Sequence, residues 1–419
     1  MCQAAAPLPS GEANRRTKLE VADIFRQYAA EYCRQYSPDL EQRRVIRDIL
    51  LCRTEALGGH VYTCDECGLE IQAFNSCLNR HCPKCQCLRQ AQWIAARQQR
   101  LLPVDYFHVI FTLPAQLRPV ALGNKRTVFG LLFKTVAETL LQFAANERWI
   151  GGQPAITAVL HTWTRELQFH PHLHCIVSAG GLSPDQQRWL PAKFGAEYLF
   201  PEAALAKVFR AKFVEALEKV HTQGKIQLRQ PYDERAEKNA FRQLRYSLYQ
   251  QRWHVHAEPP FLGAAGVVKY LGRYIHRVAI SNQRLISLDE KGVTFHTKEN
   301  RSITLAPLEF LRRFLLHLLP KGFTKVRHYG LFAAGNVNGR LRVALDLLRK
   351  DLELDSVSAA EQAEDEKAPA AEPDGEPPEE ATVRDGAKCP KCQVGTLHRR
   401  TVAPLPPHRR NILQLARGP

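Results

Sequence analysis

His172 and His174 stand one residue apart in the stretch ITAVLHTWTRELQFHPHLHCIVSA, residues 156–179. Apolar and β-branched residues flank a polar break near Arg165–Gln168, so the stretch reads as strand, turn, strand. Alternate residues of a strand project from one face, so the two imidazoles point the same way and make half of a divalent metal site. A bare pair of this kind also arises from local packing, and the stretch that weighs against packing lies downstream. Residues 264–280 read AAGVVKYLGRYIHRVAI. On a helix, Tyr270 and Tyr274 lie one turn apart on a shared face. Arg277 continues that face, and Lys269, Arg273 and His276 lie beside it; Gly272 counts slightly against helix. Tyrosines at this spacing are ordinarily core residues, but so many cations around them suit a face that handles phosphate.

The second constellation is cysteine. Cys64-x-x-Cys67 and Cys82-x-x-Cys85 are two knuckles, and four thiolates so spaced close a tetrahedral structural zinc site with no open position. His60, Cys77, His81 and Cys87 are candidates for a second zinc. Arg53, Arg80, Lys84 and Arg89 surround the module and can grip phosphates. A further pair, Cys389 and Cys392, is half a zinc ribbon. His398 or His408 could complete it, and a vestigial knuckle or one shared across a dimer fits equally well.

The elements that must position these groups are legible as periods and breaks. Val21, Ile24, Phe25, Tyr28 and Tyr32 recur at helical spacing, and Ser37-Pro38 reads as the cap of a second helix with Val45, Ile46, Ile49 and Leu50 as its stripe. Residues 86–102 read as a basic helix, Phe107–Leu113 as a buried strand, 127–146 and 202–221 as helices. Residues 225–260 read as basic and irregular, 284–305 as a hairpin turning at Glu290-Lys291-Gly292, 307–319 as a helix, and 321–350 as a DNA-facing loop and helix. No apolar run approaches membrane-span length. The net charge is +16, and residues 351–385 alone carry 13 Asp/Glu against 2 Lys/Arg, leaving +27 on the remainder. A body that basic points to nucleic acid. Twelve cysteines grouped in Cys-x-x-Cys pairs point to zinc rather than disulfides. Cytoplasmic, nucleoid-associated placement in a bacterial-type cell is the expectation.

Taken together, His172-Leu173-His174 and Tyr270/Tyr274 resemble the paired motifs of the two-tyrosine HUH transposases of rolling-circle insertion sequences. The resemblance extends to FHVIFTLP (Phe107–Pro114), to the cysteine segment with its SCLNRHCP containing Cys77 and His81, and to LPKGFTKVRHYGL (Leu319–Leu331). It implies an α+β fold: an HUH nuclease core with a central antiparallel sheet flanked by helices. The expected domains are a disordered 1–17, a helical zinc-binding module over 18–103, the catalytic domain over 104–350, a disordered acidic linker over 351–388, and a basic tail over 389–419. It further implies a metal-dependent endonuclease and strand transferase acting on single-stranded DNA. Mg²⁺ or Mn²⁺ is held by His172 and His174, with His161 as third ligand ahead of Glu166, Gln168 and His276. Tyr270 and Tyr274 are the nucleophiles, with Arg273 and Arg277 beside them. Lys269, Arg80, Lys84, Lys325 and Arg327 are the expected DNA contacts, and Trp163 and Phe169 are candidate stacking platforms. The partners implied are element ends and target DNA, with host replication or helicase factors, and an oligomer is open. A rolling-circle replication initiator with the same chemistry, or a non-catalytic zinc protein that binds DNA, are the alternatives.

Overall fold

Helix α1 (Val21–Tyr36) ends where Ser37 turns left-handed, with φ 45°, and α2 (Leu40–Leu51) starts at Asp39, whose carboxylate accepts the Gln42 N–H at 2.8 Å. Asp39, not Ser37, is therefore the cap. The structure is a computed structural model. It describes residues 19–85, 100–195, 197–228, 234–261, 279–298, 301–360 and 384–406. Further along the chain come β1 (Gly59–Cys64), β2 (Glu70–Phe74), β3 (Tyr106–Thr112), α3 (Arg118–Gly123), α4 (Lys125–Ala145), β4 (Ala155–Trp163) and β5 (Phe169–Ser178). Then follow the short β6 (Gly180–Leu182) and β7 (Trp189–Pro191), α5 (Glu202–Thr222), α6 (Glu234–Gln250) and β8 (His254–Phe261). The remainder is β9 (Leu285–Asp289), β10 (Gly292–His296), β11 (Ser302–Leu305), α7 (Pro307–Leu316), β12 (Val326–Gly330), α8 (Arg340–Ala360) and β13 (Leu397–Val402).

Two units result. The first gathers Met1–Arg89, His276–Leu318 and Glu366–Pro419; the second gathers Gln90–Ile275 and Leu319–Asp365. This corrects the expected division, because β9–β11 and α7 join the N-terminal module instead of a continuous 104–350 domain. Packing explains it: Phe25 of α1 meets Phe314 of α7 edge-on at 5.5 Å, and the Val21 N–H bonds to Asn282 Oδ1 at 3.0 Å. The tail joins the same unit, since β13 pairs along the whole of β1. The acidic segment is correspondingly shorter than expected: α8 runs to Ala360, and Lys388 bridges Thr396.

The second unit is built on a five-stranded antiparallel sheet in the order β12-β4-β5-β3-β8. Alternation divides its faces. Phe107, Val109 and Phe111, with Ile156, Ala158 and Leu160 and with Leu173, Cys175 and Val177, bury against α4 and α5. By length and composition α4 could cross a membrane, contrary to the sequence reading, yet 61% of its apolar window is buried in this core. On the other face, Val159 and Ile176 pack under Leu341, Ala344 and Leu348 of α8. Two further readings are corrected. Residues 225–260 hold α6 and β8, because Phe241 and Leu248 give α6 a buried stripe and Val255 seats β8 in the core. The expected loop at 321–350 contains β12, an edge strand on β4. The tyrosine stretch and most of the basic helix expected over 86–102 lie outside the described residues.

Phe209 of α5 packs edge-on against Phe111 at 5.2 Å and Trp253 at 5.0 Å. Phe209→Ala should therefore cost about 3–5 kcal/mol of the second unit's stability. Urea unfolding followed by tryptophan fluorescence checks this, and an unchanged midpoint would remove Phe209 from the core.

Candidate functional site

His161, His172 and His174 meet because β4 and β5 pair with His161 opposite His172 and Val159 opposite His174. Their ligand nitrogens all lie within 4.8 Å of one another. Strand β3 brings a fourth imidazole to the same face, where Ile110 stands opposite His174 and His108 lies two residues along. His108 Nε2 is 2.7 Å from His174 Nδ1, and His108 Nδ1 is 2.7 Å from Glu258 Oε2 on β8.

These contacts set tautomers. A carboxylate only accepts, so His108 donates from Nδ1; its Nε2 then accepts, and His174 donates from Nδ1. That leaves Nε2 of His174 unprotonated, the form a metal needs. His172 reaches the same state separately, because its Nδ1–H donates to the His170 carbonyl at 2.6 Å. Burial keeps the rings neutral. It lowers His172 to about 4 and holds His174 well below the ordinary histidine value, helped by the neighbouring imidazoles. Burial also lowers His108, against the pull of Glu258. Three imidazoles on adjoining strands fit a divalent cation that accepts nitrogen.

The neighbours sort the remaining expectations. Arg118 Nη2 donates to His170 Nδ1 at 2.8 Å, so His170 serves the site through its carbonyl and not its ring. Gln168 bonds Glu166 at 3.2 Å in the exposed turn, and among the described residues His161 is the third member the fold brings in. The Trp163 ring stacks on His161 at 4.6 Å, and Lys325 Nζ lies 5.8 Å over Trp163. Phe169 packs toward Phe129. Arg327 is placed differently from expectation: opposite Ala158, it lies over Phe133 at 4.4 Å and Phe323 at 5.2 Å, on the core side of the sheet. Lys84 pairs with Glu20 at 2.6 Å, and burial lowers the pKa of the half-buried Arg80. Lys269, Tyr270, Arg273, Tyr274, His276 and Arg277 lie outside the described residues.

The thiols are regrouped. Cys82 and Cys85 cluster with Cys52 and Cys77, while Cys64 and Cys67 cluster with Cys389 and Cys392. The single site expected from Cys64, Cys67, Cys82 and Cys85 is thus corrected. The first knuckle closes the β1–β2 turn, whereas the second faces the end of α2, where Cys52 lies 3.4 Å from Cys85. Cys77 lies 3.5 Å from Cys85. These spacings approach the edge of about 3.8 Å of a zinc tetrathiolate with bonds of about 2.3 Å. His81 is buried but belongs to neither group, and Cys87 lies outside the described residues. Sequence reasoning missed Cys52, which follows Leu50-Leu51 and reads as one more core residue, and it missed His108 and Glu258, which meet only through the pairing of β3 with β8.

Comparison with known proteins then decides the family. A profile described as a putative transposase matches residues 155–340, and one described as a transposase zinc-binding domain matches residues 24–113. The putative transposase y4qJ of Sinorhizobium fredii is 43% identical over 389 residues, covering 91% of this chain and 95% of the relative. The transposase for insertion sequence element IS801 of Pseudomonas savastanoi pv. phaseolicola is 30% identical over 314 residues, 72% of each chain. The chain belongs to the two-tyrosine, rolling-circle family of insertion-sequence transposases. No solved structure matches it. The transposase's zinc-binding match contains the Cys52 cluster whole, which supports a structural zinc there, but only half of the Cys64 cluster.

Two outcomes follow from this geometry. His108→Phe and Glu258→Ala should each weaken Mn²⁺ binding about 10–100-fold, the usual effect of removing a partner behind a ligand; calorimetric titration with a circular-dichroism control measures it. In metal-free protein, His172 titrates near 4 when folded against about 6.5 when unfolded. Between those values the unfolded chain binds more protons, so stability falls as pH falls through the window. Thermal unfolding from pH 7 to 4 should show that slope, and it should flatten in His172→Asn. Identical slopes would mean that the His172 ring is not held neutral by burial.

Proposed function

We propose that the transposase nicks and rejoins single-stranded DNA at element ends through a 5′-phosphotyrosine. The observation that carries this reading is the convergence of His161, His172 and His174, with Glu258 and His108 orienting His174 from behind. The donor set suits Mn²⁺ or Mg²⁺, with Mn²⁺ more tolerant of nitrogen. A cation held there supplies Lewis acidity at a scissile phosphate oxygen.

The hydroxyl of Tyr270 or Tyr274 attacks phosphorus, forming a phosphotyrosine bond as the bond to the 3′-oxygen breaks. The 3′-oxygen leaves as a hydroxyl after taking a proton. The reverse attack by a 3′-OH rejoins the strand, and the conserved bond energy removes any need for ATP. A tyrosine with an ordinary pKa of about 10 needs help at neutral pH, and Arg273 and Arg277 beside the pair favour the phenolate and the developing phosphate charge. Two tyrosines allow two strands to be held in succession. Trp163, stacked on His161 and lying under Lys325, combines a face for a base with a charge for its phosphate. A single strand is the expected substrate, since a stacked duplex backbone resists the bend into such a site. Family membership in bacteria supports a cytoplasmic place of action, with replication or a host helicase supplying the single strand.

Labelled single-stranded element ends incubated with protein and Mn²⁺ test the proposal. A covalent protein–DNA band is expected on denaturing gels. Tyr270→Phe and Tyr274→Phe should each leave some adduct, and the double substitution should leave none while DNA binding persists. His172→Ala should abolish cleavage. An adduct formed by the doubly substituted protein would place the nucleophile elsewhere.

A further inference from the structure

We propose that Cys64, Cys67, Cys389 and Cys392 hold a second structural zinc ion, which clasps the C-terminal strand to the N-terminal module. The site is independent of the nuclease reading, and half of it, Cys389 and Cys392, lies beyond the zinc-binding match, which ends at residue 113. Its geometry is that of a tetrathiolate. Cys64 and Cys392 sulfurs lie 3.7 Å apart and Cys67 and Cys389 sulfurs 3.6 Å, close to the edge of about 3.8 Å expected around zinc. A disulfide needs about 2.05 Å, so these are ligand spacings and not bond spacings.

Both halves are folded as knuckles. The Cys67 N–H points to Cys64 Sγ at 3.5 Å; the Lys391 N–H points to Cys389 Sγ at 3.4 Å and the Gly395 N–H to Cys392 Sγ at 3.3 Å. Backbone donors aimed at sulfur stabilise thiolate, the form that binds metal. The residue after each pair is left-handed, Gly68 at φ 66° and Gln393 at φ 60°. The two turns therefore present their sulfurs alike, although 321 residues of chain separate Cys67 from Cys389. Gly395 closes over the site: a Cβ there would fall 2.5 Å from Cys64 Sγ.

The surroundings are built for the clasp and are too slight to replace it. Strand β13 pairs residue by residue with β1, from Leu397 opposite Cys64 to Val402 opposite Gly59. Asp65 accepts the Thr396 N–H at 2.7 Å and contacts His398 Nε2 at 3.2 Å. Among the described residues the cluster beneath buries Tyr62 and Leu397 with Cys64 and Cys389, and only partly covers Leu69, Ile71 and Ala387. A core of that size does not stabilise a three-stranded sheet unaided, and small modules of this kind rely on a metal or another staple. Four thiolates and no open position select zinc and give a structural role. Binding releases the thiol protons to solvent, so the clasp weakens as pH falls.

The test uses the full-length chain. Cobalt is loaded in place of zinc, and thiolate-to-cobalt absorption is measured beside total metal by mass spectrometry. Cys389→Ser/Cys392→Ser should lose one metal equivalent and the absorption belonging to one of two tetrathiolate centres. Cys52→Ser/Cys77→Ser should lose the other. In unmodified protein, iodoacetamide labelling during titration with a chelator should release Cys64, Cys67, Cys389 and Cys392 together. The proposal is overturned if the tail variant keeps full metal content, or if Cys389 and Cys392 alkylate while Cys64 and Cys67 stay protected.

Discussion

The antiparallel register between β4 and β5 is the constraint on which the second unit depends. With His161 opposite His172, one face of the hairpin carries imidazoles and the other carries Ile156, Ala158, Leu160, Leu173, Cys175 and Val177. A slip of one residue would exchange the faces. Each large apolar side chain kept from water contributes about 1.5–3 kcal/mol, so exposing this set would cost far more than any rearrangement of the histidines could return. The core under α4 and α5 therefore fixes where the nitrogens point. The histidine cluster is a by-product of hydrophobic alternation, and no interaction among the histidines has to hold it open.

Four imidazoles crowded on one face could repel each other. For His108, His172 and His174 burial offsets this by lowering each ring's affinity for a proton. The Glu258 carboxylate is set behind His108, so it orients His174 through a shared proton chain without occupying a ligand position. Placing Glu258 directly against His174 would raise that ring's affinity for a proton at the expense of a metal. The intervening His108 passes on the orientation while weakening that charge effect.

Local periodicity made much of this readable from the chain itself. The strand–turn–strand around Arg165–Gln168, the apolar helix α4 and the turn at Glu290-Lys291-Gly292 each announce themselves within a few residues, and so does the shared direction of His172 and His174, whereas the expected hairpin over 284–305 gains a third strand, β11. What stayed hidden was non-local. Strand β8 follows a basic helix and looks irregular, so Glu258 carries no mark of its partner in β3. Arg327 looks like any basic residue near a glycine, and only its pairing opposite Ala158 turns it toward Phe133 and away from the histidines. The joining of 276–318 to the N-terminal module rests on contacts such as Phe25 with Phe314, which no period encodes.

The cysteines show the same limit in its sharpest form. A Cys-x-x-Cys turn specifies two ligands and their backbone donors, and it leaves the other two to topology. Pairing the nearest knuckles in the chain is the natural inference, and it fails here because a strand and a helix end intervene. Cys64 ends β1 and Cys67 lies in the turn that follows, and β13 covers the outer edge of β1, so the tail's knuckle arrives beside them. Cys82 and Cys85 face α2, whose C-terminal cap is Cys52. Strand pairing and helix length, set by apolar residues far from any sulfur, thus decide which thiols meet. In this transposase strand pairing and apolar packing decide which imidazoles and which thiols stand together in all three clusters.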